Sequence, residues 1–564
     1  MDDMKTSNSK LVKLAAAVGC GLAVTATALA VPVPRPVLRD RIKAGDTEIY
    51  GIVHWGLNTY TDREWGYGDE NPQMLAPARF DADQIVRACA DGGLRGLVVV
   101  AKHHDGFCLW PTKTTEHNIS KSPFRNGKGD YVKEMSDACR KAGIRFGVYC
   151  SPWDRNSSHY GTKKYVELYH AQIKELLDGR YGDVFEMWFD GANGGDGFYG
   201  GARESRKIPD GYYDFDTIFG FVRRLQPNVC IFTELRDDAD FRWPCNERGT
   251  LDPDSRATIR PFDSEYLSYG NVGDIDGSVF HPCEADFPLR PGWFCHESQN
   301  GDVKSGEYLM KLYLSSVGNA GTMNIGIAPS RDGVLHAGDV AVLRRFREIR
   351  EAFFARPVSG EGKYNVIVMK EDITKGERVA RWVAKAGNAE LGGKSIGSKR
   401  IRVLDEAQEF STGFKVDAFD LDGKSVEVET ALYYADPELV KSVLAAKDPA
   451  EEVDQHGAGA LTSSNDRSLV YRFEDVKTFD RLRFVPDPEH VGGAPVEFSL
   501  AWSLDGRAWK DLSQTYRLDN VAANPVAQTL KLETGVTARE IRLTAKRTLK
   551  EGEKVALLGL AIAR

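Results

Sequence analysis

From about residue 48 to residue 355, short continuous apolar runs alternate with segments of helical spacing. Ile49 to His54, Leu94 to Ala101, Arg145 to Tyr149, Val184 to Phe189, Val229 to Phe232 and Thr322 to Ile327 read as buried strands. Between and after them, Ala82 to Ala90, Tyr131 to Ala142, Lys163 to Leu177, Phe215 to Leu225, Leu309 to Val317 and Val340 to Phe354 carry apolar residues at helical spacing. Strands that are apolar throughout are covered on both faces. Their alternation with helices predicts a parallel sheet wrapped in helices. About 300 residues of this texture suit a (β/α)8, TIM-like barrel. A doubly wound open sheet would satisfy the same pattern.

The texture changes after about residue 360. Tyr364 to Lys370, Arg378 to Ala384, Val426 to Tyr434, Ser468 to Phe473 and Arg481 to Val485 are short strand-like runs between turn signals, with one helix near Glu438 to Ala446. This predicts C-terminal all-β sandwich domains. The stretch Val496 to Trp509 resembles the core of a discoidin-like (coagulation-factor type) module, a candidate for carbohydrate binding. The expected division is an α/β barrel over 31–358, a β-sandwich over 359–436 and the discoidin-like sandwich over 437–564.

The first residues read differently. Lys5, Lys10 and Lys13 precede an Ala-rich apolar run from Leu14 to Leu29, and Ala28-Leu29-Ala30 is a small-x-small cleavage site. Residues 1–30 are therefore expected to be a signal peptide and the mature protein to be exported, to a periplasm or beyond the cell. That run is short for a membrane span, and no other apolar run approaches one. The formal charge of −8, with no basic stripe, argues against nucleic acid as a partner. Beyond Cys20, the cysteines at 89, 108, 139, 150, 230, 245, 283 and 295 show no C-x-x-C and no metal-like spacing. Cys245, Cys283 and Cys295 lie in loop-rich sequence, where an exported chain could form a disulfide.

Polar residues gather where the predicted strands end. His54, His103, His104, Tyr149 and Asp190 each close an apolar run, and in a barrel those ends share one face. Two stretches, Met187-Trp188-Phe189-Asp190-Gly191 and Arg242-Trp243-Pro244-Cys245-Asn246-Glu247, each set a carboxylate near a tryptophan. Carboxyls among aromatic rings suit a site that grips an apolar-faced, hydroxylated ring and does acid/base or nucleophilic work on it. Sugars are such rings. The bland alternatives are a buried strand-end Asp190 that caps the next helix and core histidines that are simply hydrogen-bonded. A zinc reading of His103-His104-Asp105 meets the objection that adjacent strand residues point to opposite faces. The Asp/Asn/Gly-rich stretch Asn271 to Ser278 lacks an EF-hand pattern and reads as solvated turns rather than a calcium site. No cofactor is expected.

The chain resembles the α-L-fucosidases of glycoside hydrolase family 29. The resemblance rests on His54-Trp55-Gly56, Glu64-Trp65, Lys102-His103-His104-Asp105-Gly106-Phe107, Tyr149-Cys150-Ser151-Pro152-Trp153-Asp154, Trp188-Phe189-Asp190-Gly191, Gly292-Trp293-Phe294 and Asn324-Ile325-Gly326, and covers roughly residues 48–435. It implies a retaining exo-glycosidase acting on fucosylated glycans, with Asp190 as nucleophile and Glu247 as general acid/base; Glu234, also after a predicted strand, is the rival. It further implies that His54, Glu64, Trp65, His103, His104, Tyr149, Trp188, Arg242, Trp243 and Trp293 bind the sugar. The Arg242-to-Glu247 segment is similar to that of the branch favouring α-1,3/1,4-linked fucose, although Cys245 stands where that branch usually has glycine. Another retaining exo-glycosidase of similar fold, or a non-catalytic carbohydrate-binding protein, are the alternatives.

Overall fold

The computed structural model describes residues 31–563 apart from 45–46, 235, 262–270 and 452–457. The export signal read at residues 1–30 lies outside the described residues.

Seven parallel strands curl into one sheet: β1 (Ile49–Val53), β2 (Gly96–Lys102), β3 (Arg145–Cys150), β4 (Val184–Trp188), β5 (Cys230–Phe232), β6 (Glu284–Pro288) and β7 (Thr322–Ile327), in the order β6-β7-β1-β2-β3-β4-β5. Strands such as Gly96-Leu97-Val98-Val99-Val100-Ala101-Lys102 are buried at every position because helices cover one face and the barrel interior the other. Leu97, Val99 and Ala101 pack outward under the helices, whereas Val98 and Val100 join Tyr50, Ile52, Tyr149, Trp188 and Phe232 inside. Side-chain caps start several of the covering helices: Asp81 on the Gln84 amide, Asp130 on Lys133 and Ser305 on Tyr308.

The eighth stave is reduced to three residues. Asp240 donates its amide to the Ile231 carbonyl at 2.7 Å, Arg242 donates to Pro282 at 3.0 Å, and Glu284 donates back to the Arg242 carbonyl at 2.9 Å. Residues 240–242 thus bridge the open edges of β5 and β6 in parallel fashion.

Two antiparallel layers follow. Pro357–Val358, Val428–Tyr433, Lys363–Glu371 and Arg400–Glu409 form one sheet; Ala389–Gly393, Arg381–Ala386 and Phe414–Phe419 form the other. Ile367, Leu404 and Leu432 from the first meet Trp382, Ala384 and Ala418 from the second in a shared core. The last module is a six-stranded antiparallel sheet with its own core around Leu482, Phe484, Phe498, Ile541 and Leu543. The runs Ser468 to Phe473 and Arg481 to Val485, read separately from sequence, are one strand, Ser468–Val485, whose pairing with Gln528–Thr548 slips twice. Such irregularities bend long strands over a core. The eight described cysteines are all free thiols, so the disulfide considered among Cys245, Cys283 and Cys295 is not formed.

Candidate active site

A cavity of about 220 Å³ opens at the C-terminal ends of the barrel strands. His54 follows β1, His103 and His104 follow β2, Tyr149 is the last residue but one of β3, Asp190 follows β4, Glu234 follows β5, and Asp286 lies in β6. All seven line this cavity, with Trp65, Trp188, Trp243, Glu247 and Trp293.

The floor is an aromatic ladder set by strand register. Tyr149 pairs with Trp188, and Trp188 pairs with Phe232. Their inward rings stack at 5.1 Å and 4.1 Å between centroids. The Trp188 indole is fixed from below, donating to Glu284 Oε1 at 2.9 Å; Tyr50 and Asn324 also donate to that carboxylate, each at 2.6 Å. A rigid, apolar-faced floor results.

Asp190 stands at the edge of this ladder. Its Oδ2 accepts the Tyr149 phenol at 3.0 Å and its Oδ1 accepts the Ala192 amide at 2.6 Å. The second bond caps a turn rather than a helix. Next to it, Gly191 has no room for a side chain: a Cβ there would fall 1.4 Å from Glu234 Oε1. The glycine is what lets the Glu234 carboxyl lie against the Asp190 loop.

Glu247 enters from the long connection between β5 and β6. Its Oε2 accepts Trp293 Nε1 at 2.9 Å and Asn520 Nδ2 at 2.5 Å. Burial pushes its pKa up to about 7, with Asp190 and Glu64 adding to the rise and the two donors opposing it. Glu234 is pushed to about 8, by burial first and then by Asp190 and Glu247. Asp286, which accepts Trp243 Nε1 at 3.0 Å, is held well above the carboxylate range by burial and then by the Glu247, Glu284 and Glu234 carboxyls. The cavity therefore gathers protonatable carboxyls beside Asp190, an arrangement able to give and take a proton next to a nucleophile.

Burial holds the three cavity histidines in their neutral form. Burial lowers His54 to about 3, His104 to about 4 and His103 well below its ordinary value. Ser151 donates its hydroxyl to the Trp153 carbonyl at 3.0 Å, so it accepts from His104 Nδ1 at 2.8 Å. That leaves His104 Nε2, 3.9 Å from Asp190 Oδ1, as an acceptor facing the cavity. A ligand hydroxyl is the natural donor to it.

Two residues expected at the sugar do not reach the cavity. Glu64 is occupied behind it: the Trp293 amide donates to Oε2 at 2.7 Å and His296 Nε2 lies 2.5 Å from Oε1. Its carboxylate builds the loop that carries Trp293. Arg242 is fully buried and donates to the carbonyls of His281 and Arg256. It closes the barrel seam, so its side chain is structural.

Asp286, Asn520 and Ala523 line the cavity without having been expected there. Asp286 alternates with Glu284 along β6, a period-2 signal of two inward acids. Asn520 and Ala523 lie in a turn of the terminal module, and no local pattern points them at a barrel. Among the described residues, no group of three or more His, Cys, Asp or Glu side chains is arranged to hold a metal ion. In the stretch from Asn271 to Ser278, Asp274 accepts the Arg260 amide at 3.0 Å and its Nε at 3.1 Å.

Comparison with known proteins gives a consistent result. Residues 41–348 match the family model described as alpha-L-fucosidase. Alpha-L-fucosidase 1 of Arabidopsis thaliana is 36% identical over 327 residues, covering 57% of this chain and 61% of the plant protein. The chain spans about three fifths of the length of the first curated relatives it matches, 61% and 58%. The crystal structure of a glycoside hydrolase 29 family member from an unknown rumen bacterium is 32% identical, with a TM-score of 0.69 over 94% of this chain and 99% of that one. A Ruminococcus gnavus family 29 fucosidase in complex with fucose is 25% identical, with a TM-score of 0.63 over 73% of this chain and 97% of that one.

Proposed function

Because this chain belongs to the α-L-fucosidases of glycoside hydrolase family 29, we propose that it is an exo-acting enzyme that removes terminal α-L-fucose from glycans by double displacement, with Asp190 as nucleophile and Glu247 as acid/base. One observation carries the reading: Asp190, held on both oxygens by Tyr149 and Ala192, borders the same small cavity as a Glu247 whose pKa is pushed to about 7.

In the first step Asp190 attacks the anomeric carbon while Glu247 gives its proton to the departing glycosidic oxygen. The sugar's apolar face lies on the Trp188 floor, and its hydroxyls bond His104 Nε2 and the neighbouring histidines. Once Asp190 is esterified, its negative charge is gone, so Glu247 holds its next proton less tightly in the ionised state's favour. As a carboxylate it then takes a proton from water, which attacks the same carbon and frees fucose with net retention.

A preference for α-1,3/1,4-linked fucose in branched glycans is the finer part of the proposal. It is supported by the likeness of the Arg242-to-Glu247 segment, of which Trp243 and Glu247 reach the cavity. The test is fucose release from a Lewis-type trisaccharide, an α-1,2 fucoside and an aryl fucoside. Release from the first and third is expected. A preference for the α-1,2 fucoside would remove the linkage assignment, and no release from any would remove the activity.

A further inference from the structure

The terminal β-module reaches into the cavity at one loop, between the strands Lys510–Tyr516 and Gln528–Thr548. Three hydrogen bonds tie that loop to the site. Asn520 Nδ2 donates to Glu247 Oε2 at 2.5 Å, the Glu247 amide donates to the Ala523 carbonyl at 3.1 Å, and Asn524 Nδ2 donates to the Pro291 carbonyl at 3.1 Å, just before Trp293.

The loop is built to hold still. Asn520 has left-handed backbone (φ 56°), a conformation asparagine tolerates better than most residues, and its carbonyl accepts the Asn524 amide at 3.0 Å. Leu518 and Val521 on either side are buried in the module's core. The module is also pinned outside the site by ion pairs, Arg517 with Asp196 at 3.5 Å and Arg483 with Asp302.

From this geometry we propose that the terminal module completes the active site, with Asn520 the positioning residue that orients Glu247 and, with Ala523, borders the leaving-group side of the cavity. The inference rests on reading Glu247 as the acid/base. Trp293 Nε1 and Asn520 Nδ2 both donate to Oε2, so the proton of the neutral acid sits on Oε1. Two donors on one oxygen leave the carboxyl a single orientation in which to present that proton. Because both favour the ionised form, they also oppose the rise that burial and the Asp190 and Glu64 carboxyls impose.

The test uses the full chain and two variants that tolerate the left-handed backbone. Asn520→Gly removes the donor, and Asn520→Asp replaces it with an anion of the same shape. With Asn520→Gly, kcat/KM on a natural fucoside should fall about tenfold, the scale of one hydrogen bond to a charged group. An aryl fucoside with a good leaving group should lose much less. The alkaline limb of the pH profile should move upward by about one unit, and further in Asn520→Asp, since removing a donor or adding a like charge favours the protonated acid. Equal losses on both substrates with an unmoved limb, or wild-type behaviour of the folded variants, would overturn the inference. If Asn520→Gly does not fold, Asn520→Asp decides it by the same two readouts. Glu247→Gln separates the two levels: equal losses on natural and aryl fucosides there would fail the acid/base reading itself, whereas a loss falling mainly on natural fucosides there, with a normal Asn520→Gly enzyme, would fail only the positioning role.

Discussion

Tyr149 donates its phenolic hydrogen to Asp190 Oδ2 across 3.0 Å, from a ring that strand register stacks on Trp188. The donor cannot wander, because the ring is buried and also lies parallel to His103. Tyr149→Phe keeps the stack and deletes the bond, leaving Asp190 with the Ala192 amide alone. A hydrogen bond to a charged group is worth about 1.5–3 kcal/mol. Turnover should therefore fall about tenfold or more, while the melting temperature drops by only a few degrees. Steady-state kinetics beside a thermal melt would check this, and wild-type turnover would dismiss Tyr149 as an aid to the nucleophile.

The two glutamates on the cavity should behave oppositely. Glu234, pushed to about 8, is neutral at pH 7, and glutamine is a neutral isostere of it, so Glu234→Gln should cost little. Glu247→Gln removes the transferable proton. It should slow natural fucosides by about 100-fold or more and aryl fucosides far less, since those need little protonation of the leaving group. Brønsted plots over a set of aryl leaving groups for both variants would decide. The reverse pattern would move the acid/base role to Glu234.

The pH profile should carry the same signature. The acid must be protonated to act, so kcat/KM should decline as pH rises through about 7. In Glu247→Gln, measured on an activated aryl fucoside, that decline should vanish. Its persistence would assign the titration to another group.

His296 predicts a stability change. It bridges Asp62 at 2.8 Å and Glu64 at 2.5 Å, and although burial alone would lower it, those two carboxylates raise its pKa from 6.5 to about 9. A folded value above the unfolded one means the folded protein binds this proton more tightly. The contribution is complete below about pH 6.5 and is lost as pH rises through about 9, amounting to roughly 3 kcal/mol at most. Wild-type protein should thus lose melting temperature over that window, and His296→Gln should be less stable at low pH with a flatter dependence. Parallel curves for the two proteins would rule the coupling out.

How much of this was written in the sequence depends on how local each signal is. β2 is legible because Leu97 to Ala101 is apolar throughout, as a strand buried on both faces must be. β6 is not, because Glu284, Asp286 and Pro288 interrupt its apolar character; the two acids point into the lumen, where Tyr50, Trp188, Asn324 and Trp243 donate to them. The stave at 240–242 is too short for any periodicity. The strand-end positions of His54, His103, His104, Tyr149 and Asp190 were legible, since barrel topology alone brings them to one face. Arg242 and Glu64 sit beside site residues in the chain yet spend their charge on backbone groups and on His296, and only tertiary packing could reveal that. Asn520 lies 273 residues from its partner Glu247, beyond the reach of any local pattern.

The proposed mechanism turns on a covalent bond from Asp190 to the sugar. It is tested most directly by Asp190→Gly assayed on an aryl α-L-fucoside with and without azide. Turnover should collapse, azide entering the vacated space should restore part of it, and the product should be β-fucosyl azide, whose inverted anomeric centre marks a single displacement in place of two. An Asp190→Gly enzyme with undiminished turnover, or azide rescue yielding the α-azide, would contradict it.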